Sequence, residues 1–345
     1  MNLIYILIIF IISKCKYIIY NHTNEENNLY FVFTTFRHGA RTVFTNIDYF
    51  GNYINSSGSL TKYGIIQNFE IGNKYKKRYS NFLNMKFDIN QIYIRTSDIE
   101  RTIISTQKQL EGFFNKIIDR KYLHIIKNGL DYLNLFHLND KEHEIMDKYI
   151  RFCNKRKLTE NYMENFKNEI YPILKNYYGI LEYPNLEYFC DSVYTSYSEY
   201  IYDNDTNNKI SKCGIKNAKK MHDFCYNWYN TFRGWDEYGA YMFYMFYQNI
   251  FEYMNMSING EKSIKMIMIG GHDITVDKFM NFLDGLKIIP RNEYPHFSFN
   301  IIIELRKYNN NFYLEFYYND ILRYNETYQT FINILKNSKY SHLYN

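Results

Sequence analysis

The stretch FVFTTFRHGAR, residues 31–41, is the part of the chain from which the fold and the site are best inferred. Residues 31–36 are aromatic or β-branched and carry no charge, which is typical of a buried strand. The motif Arg37-His38-Gly39-Ala40-Arg41 follows at once. The sequence therefore predicts a strand whose end presents one imidazole between two guanidinium groups.

These residue types suit a phosphate monoester. The planar guanidinium groups of Arg37 and Arg41 can each bind two oxygens of a phosphate dianion. His38, between them, can attack phosphorus through a nitrogen that carries no proton, and neighbouring cations favour that neutral form. Gly39 lets the backbone approach the anion, because it has no side chain. We therefore interpret the motif as a phosphate site with its own nucleophile; the alternative is a solvated basic turn.

A second cluster indicates where this site extends. Residues 90–95 predict a short strand, and Ser97-Asp98-Ile99-Glu100 has the pattern of a capping box with Ser97 as the N-cap. Apolar residues spaced by three and four up to Ile117 predict one buried helix face. Arg101 falls in the first turn, where free amide protons and the helix dipole attract anions. Arg101 is thus a third candidate for binding phosphate; the alternative is a surface arginine in a local ion pair.

A third cluster has the same strand-to-helix form. Residues 264–269 predict a buried strand, and His272-Asp273 follows before a helical pattern over 276–286. Ligands bind beyond the carboxyl ends of strands in open α/β sheets, so this pair can share a site with His38. His272 is suited to donate to phosphate, and Asp273 to protonate a leaving alkoxide and then activate water. The alternatives are a helix N-cap for Asp273 and a core position for His272.

Together these segments resemble the histidine acid phosphatases, which form branch 2 of the histidine phosphatase superfamily and include prostatic and lysosomal acid phosphatases and phytases. Residues 37–41 are similar to the first signature of that family, and His272-Asp273 to the second. Residues 60–83 and 93–105 resemble the intervening helix and the segment that carries the third arginine of the family's phosphate site. The similarity is good over residues 30–110 and 262–320 and thin between them.

The resemblance implies an acid phosphatase that hydrolyses phosphate monoesters through a covalent phosphohistidine, without a metal or another cofactor. It makes His38 the nucleophile and Asp273 the proton donor, and it favours Arg101 over Arg95 as the third arginine. Thr42 stands where the family usually has proline, so a rigid turn is lost but no catalytic group. The phosphate-binding residues implied are Arg37, Arg41, Arg101 and His272.

The resemblance also implies an α/β fold. Its core has three layers, with a mostly parallel central sheet flanked by helices, and an inserted, mostly α-helical cap lobe. Helices are predicted within 160–178 and 214–256, and two late strands, 299–305 and 313–319, are predicted to turn through Asn309-Asn310. The predicted organisation is a signal peptide at 1–20, the phosphatase core at 21–118 and 261–345, and the cap lobe at 119–260.

The charge and hydropathy of the chain limit its possible partners and its location. The net charge is +5, or +3 (5 minus 2) if Lys14 and Lys16 leave with a leader, and it is too small and dispersed for nucleic-acid binding. The apolar run 3–12 has the length of a signal-peptide core and is short for a membrane span. We expect a secreted or lysosomal/vacuolar protein with a small phosphate monoester as substrate and no membrane span in the mature chain. A retained signal anchor is the alternative, and a homodimer is left open.

Cysteines and sequons fit the secretory pathway. Four cysteines follow the leader, an even number compatible with two disulfides in any of three pairings. Cys153 is similar to a family disulfide cysteine, but the usual late partners are missing. The sequons are compatible with a glycoprotein, although an Asn-rich chain produces several by accident. The cysteines are Cys153, Cys190, Cys213 and Cys225, and the sequons are at Asn21, Asn55, Asn204, Asn255 and Asn325.

Two other functions remain as alternatives. The pair His272-Asp273 can be interpreted as part of a metal-dependent phosphohydrolase, which a chelator would inactivate. The chain can also be interpreted as a noncatalytic phosphoester-binding member of the fold. A polar run between 137 and 144 lacks the spacing of metal ligands, so a solvated turn is predicted there. That run contains His137, Asp140, Glu142, His143 and Glu144.

Overall fold

The computed structural model describes residues 28–44, 48–52, 57–127, 158–202, 208–233, 250–261 and 264–338. Several sequence predictions fall outside these ranges. They concern the leader at 1–20, the polar run 137–144, Cys153, part of the predicted helix 214–256, and the sequons at Asn21, Asn55 and Asn204.

A seven-stranded sheet with the order β3-β2-β4-β1-β5-β6-β7 forms the centre of the molecule. Four strands run parallel: β1 (Leu29–Arg37), β2 (Ile92–Ser97), β3 (His124–Ile126) and β4 (Met266–Gly271). Three continue the sheet in antiparallel pairing: β5 (Asn300–Tyr308), β6 (Asn311–Tyr318) and β7 (Ile321–Thr327). The predicted parallel part is present, and the whole sheet is mixed because the late strands pair as hairpins.

Strand β1 lies between β4 and β5 and is buried on both faces. Its side chains alternate, so Phe31 and Phe33 enter the core on one side of the sheet, and Val32 and Phe36 enter the core on the other. Burial on both faces explains why this stretch has no polar alternation. The predicted strand 31–36 is confirmed.

Helices cover both faces and complete three layers. Helices α1 (Lys62–Tyr79) and α2 (Glu100–Phe114) pack on one face. Helix α6 (Asp273–Gly285), helix α7 (Tyr328–Lys336) and helical residues 250–258 pack on the other. The predicted layered α/β core is therefore confirmed.

The late hairpin shows how local sequence sets a turn. Asn309 and Asn310 join β5 to β6 with φ values of 46° and 65°. Two consecutive residues of positive φ form the tight turn that matches the twist of a hairpin, and asparagine tolerates this region better than most residues. The predicted turn is confirmed.

A second group of helices lies against the carboxyl end of β1. It contains α3 (Leu158–Asn165), which continues through π-helical turns to Tyr178, then α4 (Leu186–Tyr202) and α5 (Gly214–Arg233). Its apolar core includes Phe166, Phe189 and Val193, and it reaches Ala40 and Phe297 beside the sheet. These helices therefore cover the end of β1, which carries the sequence motif. The boundaries 119 and 260 of the cap lobe stay a prediction, although β3 at 124–126 already belongs to the sheet.

The described cysteines are free thiols. Cys190, Cys213 and Cys225 are buried in the helical group. Burial, together with the neighbouring Cys190, raises the pKa of the Cys225 thiol well above its usual value. The structure therefore does not confirm the two predicted disulfides. Among the described residues, no helix has the length and apolar character needed to cross a membrane.

Candidate active site

Three parallel strands end at one edge of the sheet, and the candidate residues meet there. Arg37, the last residue of β1, is in register with Gly271, the last residue of β4. The next residues, His38 and His272, therefore leave the sheet side by side, with ring centroids 5.3 Å apart. The backbone N–H of His38 also donates to the Gly271 carbonyl oxygen at 2.9 Å. Strand register thus joins two motifs that lie far apart in the sequence.

The imidazole of His38 is buried, and its tautomer follows from its contacts. Nδ1 lies 2.8 Å from the Gly39 carbonyl oxygen, which can only accept, so Nδ1 carries the proton. Nε2 accepts from Nε of Arg101 at 3.1 Å. Burial first, and then the charge of Arg101 and its neighbours, lowers the pKa of His38 well below its usual value. His38 is therefore a neutral imidazole whose Nε2 lone pair faces Arg101.

An aromatic cage orients Arg37. The centre of its guanidinium lies 4.3 Å from the ring centroid of Phe297 and 5.5 Å from those of Tyr194 and Tyr294. Nη1 donates to the carbonyl oxygen of Pro295 at 2.7 Å. Aromatic faces and a carbonyl oxygen stabilise a buried cation, so this side chain is held in place before any ligand binds.

Arg41 is held by a carboxylate from the helical group. Nη2 donates to Oδ1 of Asp191 on α4 at 2.7 Å, and both side chains are 11% exposed. Burial opposes the charge of Arg41, but the carboxylate of Asp191 outweighs it and raises the pKa of the guanidinium. Asp191 also accepts from the backbone N–H of Phe44 at 2.6 Å. Helix α4 therefore fixes the loop that follows the motif, including the position of Thr42.

Arg101 lies at the second position of α2 and connects the two histidines. Besides its contact with His38, its Nη2 lies 3.5 Å from Nδ1 of His272. Burial, followed by the positive charge of Arg41, lowers the pKa of Arg101 to about 9. The guanidinium therefore remains charged at neutral and acidic pH. Arg95, by contrast, lies within β2, two residues before its end.

The predicted capping box at Ser97 is wrong. Helix α2 begins at Glu100 with Ile99 as its N-cap, and no side chain caps it. Ser97 is the last residue of β2, and its Oγ lies 2.6 Å from Oγ1 of Thr102 and 3.0 Å from Nε2 of His272. The hydroxyl supports the second histidine because strand pairing of residue 97 keeps it out of the helix.

His272 is the N-cap residue of α6 and is buried. Its backbone N–H donates to Oγ1 of Thr275 at 3.1 Å. Burial first, and then the charge of Arg101, lowers the pKa of His272 to about 3. With Ser97 at Nε2 and Arg101 at Nδ1, the ring is neutral and fixed on both sides.

Asp273 follows at the first position of α6, and both of its carboxylate oxygens accept hydrogen bonds. Oδ1 accepts from the N–H of Ile274 at 2.9 Å, and Oδ2 accepts from the hydroxyl of Tyr294. Nη2 of Arg37 lies 3.7 Å from Oδ2. The carboxyl group is thus held beside the arginine that begins the motif.

Gly39 is needed for helix packing, which the sequence interpretation missed. A Cβ at this position would lie 2.3 Å from the carbonyl oxygen of Gly64 in α1. The N–H of Gly39 donates to Oγ of Ser105 at 3.1 Å. The glycine allows α1 to pack directly on the loop, so steric contact with protein backbone explains this residue.

Three side chains of the site were not predicted as contacts: Asp191, Tyr294 and Ser97. Asp191 and Tyr294 have no local signal, since neither stands in a pattern that separates it from the other acidic residues or from the 39 tyrosines of the chain. Ser97 had a usable signal, because it is a polar residue directly after the segment that contains the predicted strand 90–95. Within the described residues, no group of three or more His, Cys, Asp or Glu side chains is arranged to hold a metal ion.

A known protein family matches more than half of this chain. The family model described as histidine phosphatase superfamily, branch 2, matches residues 25–254, more than half of the chain. The chain belongs to this family. As a member of the histidine phosphatase superfamily, it shares 36% identity over 94 residues with mouse prostatic acid phosphatase and 30% over 94 residues with lysosomal acid phosphatase of Xenopus laevis. The first match covers 26% of this chain and 25% of the mouse protein, and the second 26% and 22%.

Solved structures with the same histidine phosphatase fold extend over most of the chain. The phytase of Citrobacter braakii superimposes with a TM-score of 0.60 at 14% identity, over 84% of this chain and 85% of that one. The multiple inositol polyphosphate phosphatase of Bifidobacterium longum, solved with inositol hexasulfate, gives 0.60 at 13% identity over 89% of each chain. At this identity the likeness establishes the fold.

Proposed function

We propose that this protein is an acid phosphatase that hydrolyses phosphate monoesters through a covalent phosphohistidine at His38, without a metal. One observation carries the proposal. Nε2 of His38 carries no proton, and the guanidinium of Arg101, a candidate phosphate-binding group, contacts it at 3.1 Å. Membership of the histidine phosphatase superfamily supports this function.

The first chemical step uses both strand ends. The guanidinium groups and His272 bind the phosphate oxygens and stabilise the charge on them in the transition state. Nε2 of His38 attacks phosphorus, the N–P bond forms, and the ester P–O bond breaks. Asp273, protonated, gives its proton to the leaving alkoxide. The products are the free alcohol, phosphohistidine and an Asp273 carboxylate. The guanidinium groups are those of Arg37, Arg41 and Arg101.

The second step reverses the role of the carboxyl group. The Asp273 carboxylate takes a proton from water as that water attacks phosphorus, and the N–P bond breaks. Inorganic phosphate leaves, His38 is neutral again, and Asp273 carries the proton needed for the next turnover. The lowered pKa values of His38 and His272 keep both imidazoles neutral in mildly acidic solution. The pair of steps is therefore suited to acidic conditions.

The intermediate provides the direct test. We expect a rapidly quenched reaction with a ³²P-labelled aryl phosphate at pH near 5 to give a labelled protein whose label is acid-labile and alkali-stable. His38→Ala should lose the label, whereas His124→Ala, which changes an exposed histidine on β3, should keep it. Turnover without any labelled intermediate would overturn the covalent mechanism.

The same assay separates the alternatives. A metal-dependent phosphohydrolase requires loss of turnover after treatment with chelator and recovery with a divalent cation. A noncatalytic phosphoester binder requires that inorganic phosphate bind while no ester is hydrolysed. We expect chelator to leave turnover unchanged. Comparing aryl phosphates with nucleotides, sugar phosphates and inositol phosphates would then define the substrate.

We further propose that the chain enters the secretory pathway and is secreted or lysosomal/vacuolar. The apolar run at 3–12 supports this location, and one curated relative is named lysosomal acid phosphatase. Of the described sequons, Asn255 and Asn325 are both exposed and thus accessible to glycosylation. Expression in eukaryotic cells should give a processed N-terminus and a mass that endoglycosidase reduces. An unprocessed, unglycosylated chain in the cytosol would contradict this location.

A further inference from the structure

Tyr294 connects the carboxyl group of Asp273 to a rigid aromatic cluster. Its hydroxyl donates to Oδ2 of Asp273. The ring is buried, stacks on Tyr229 at 5.1 Å and 14°, and meets Tyr194 edge-on at 5.5 Å and 89°. Packing on two sides leaves the ring little freedom to rotate away. The hydroxyl is therefore a fixed donor at the carboxyl group.

The backbone around Tyr294 is fixed by the same part of the structure. Its N–H donates to the hydroxyl of Tyr226 at 2.8 Å. The next carbonyl, that of Pro295, accepts from Nη1 of Arg37 at 2.7 Å. One short segment thus holds both the proposed acid and a phosphate-binding arginine, and it sets the distance between Arg37 and Asp273.

The hydrogen bonds favour one charge state of the carboxyl group. Oδ1 accepts from the N–H of Ile274, Oδ2 accepts from Tyr294, and Arg37 lies 3.7 Å away, so three donors or cations stabilise the carboxylate. A phosphate dianion bound nearby opposes that charge, because like charges repel. A proton donor that becomes a general base needs both states in one turnover. The Tyr294 hydroxyl favours the ionised over the protonated state of Asp273.

We propose that Tyr294 is a positioning residue for Asp273, which orients the carboxyl group toward the leaving oxygen and stabilises the carboxylate that proton donation leaves behind. This inference rests on the proposed function of Asp273. It assigns Tyr294 no contact with the phosphate. The effect of Tyr294 on the rate must therefore be larger for esters whose leaving group needs a proton.

The test is Tyr294→Phe, which removes one oxygen and keeps the ring. A hydrogen bond to a charged group contributes enough that kcat for an alkyl phosphate should fall about 10- to 100-fold. The kcat for an aryl phosphate, whose leaving group needs little protonation, should change by less than about threefold. The alkaline limb of the kcat/KM profile should move to higher pH, because the carboxylate has lost a donor. A purely structural role would lower both rates alike and leave the limb in place.

Tyr75→Phe is the matched control, since it removes another buried hydroxyl, which bonds Oγ1 of Thr34 at 2.8 Å within the core. Tyr226→Phe is a second variant, expected to change the rates in the same direction by a smaller factor. It keeps the proposal testable if Tyr294→Phe does not fold, and an unchanged ratio of aryl to alkyl rates in it would then count against the inference.

Asp273→Asn, measured in parallel, separates the two hypotheses. If Asp273→Asn impairs alkyl esters selectively and Tyr294→Phe does not, the inference about Tyr294 is wrong and the proposed function stands. If Tyr294→Phe impairs alkyl esters but has no further effect in the Asp273→Asn background, the inference is supported. If the unaltered protein hydrolyses no ester, the proposed function itself fails.

Discussion

The ends of β1 and β4 lie side by side in the sheet but present different chemistry. After β1 stand a neutral imidazole and two arginines, which an aromatic cage, a carbonyl oxygen and a buried carboxylate hold in place. After β4 stand an imidazole and a carboxyl group, each contacted by a hydroxyl, from Ser97 and Tyr294. The permanent charges at the β1 end are held by fixed partners, whereas the two groups at the β4 end are each contacted by a hydroxyl, which can donate or accept.

The comparison indicates a division of work under the proposed function. At the β1 end, His38 and the arginines bind and attack phosphate, and none of them gains or loses a proton before the N–P bond forms. The β4 end moves protons, so its partners must tolerate both protonation states. Variants at the β1 end should therefore affect all esters alike, and variants at Asp273 should discriminate among leaving groups.

The largest effect is expected for His38→Ala. Loss of the nucleophile should lower kcat by at least about 10³-fold for aryl and alkyl esters alike, because both need the same N–P bond. Steady-state rates at pH near 5 measure this, with His124→Ala as the control. A His38→Ala variant that loses only alkyl ester hydrolysis would break the division between the strand ends.

Asp273→Asn should have the next largest effect, and a selective one. Removal of a general acid typically costs about 10²- to 10⁴-fold, so alkyl esters should lose that factor while aryl esters lose less than about tenfold. A series of esters with leaving groups of graded acidity measures the slope of log kcat. An unchanged slope in Asp273→Asn would contradict the assignment of proton donation to the β4 end.

Arg101→Ala should lower kcat/KM about 10²-fold for every ester, the loss typical of one donor to transition-state charge. Its charge also helps to lower the pKa of His38, so the acidic limb of the profile should move to higher pH. Arg120→Ala is the control, since that arginine is largely exposed and pairs with Glu100 at 3.2 Å. A drop in kcat/KM without a shifted acidic limb would separate phosphate binding by Arg101 from its influence on His38.

The smallest effect concerns stability. His38 and His272 are buried as neutral rings with lowered pKa values, so the unfolded chain binds protons below pH 6.5 that the folded chain does not. Each should therefore reduce the free energy of unfolding by up to about 1.4 kcal/mol per pH unit as the pH falls from 6.5 toward the folded value, and have no effect above 6.5. Urea titrations at pH 7 and 5 measure this. Between these two pH values, the free energy of unfolding of His38→Asn and of His272→Asn should fall by less than that of the unaltered protein. An equal fall in the free energy of unfolding in all three proteins would show that these rings become charged in the folded state.

Local sequence was enough to predict β1, β4, the late hairpin and the positions of His38 and His272 at strand ends. The uncharged β-branched and aromatic stretch 31–36 predicts a buried strand that ends at the motif with His38. The strand-to-helix pattern after residue 269 places His272 at a second strand end. Paired asparagines at 309 and 310 identify the hairpin turn for the same local reason. Ser97 was misassigned because a capping pattern and a strand end share residue types, and pairing with Ile126 of β3 decided between them.

The sequence alone determined that an imidazole would stand between arginines at a strand end and that a His-Asp pair would stand at another, because side-chain chemistry and strand periodicity are local properties. Only the tertiary structure decided that Asp191 would pair with Arg41, that Tyr294 would donate to Asp273, and that Gly39 would lie against α1. Each of these contacts joins segments separated by 20 residues or more. Such contacts depend on how helices pack on the sheet, which no short pattern encodes.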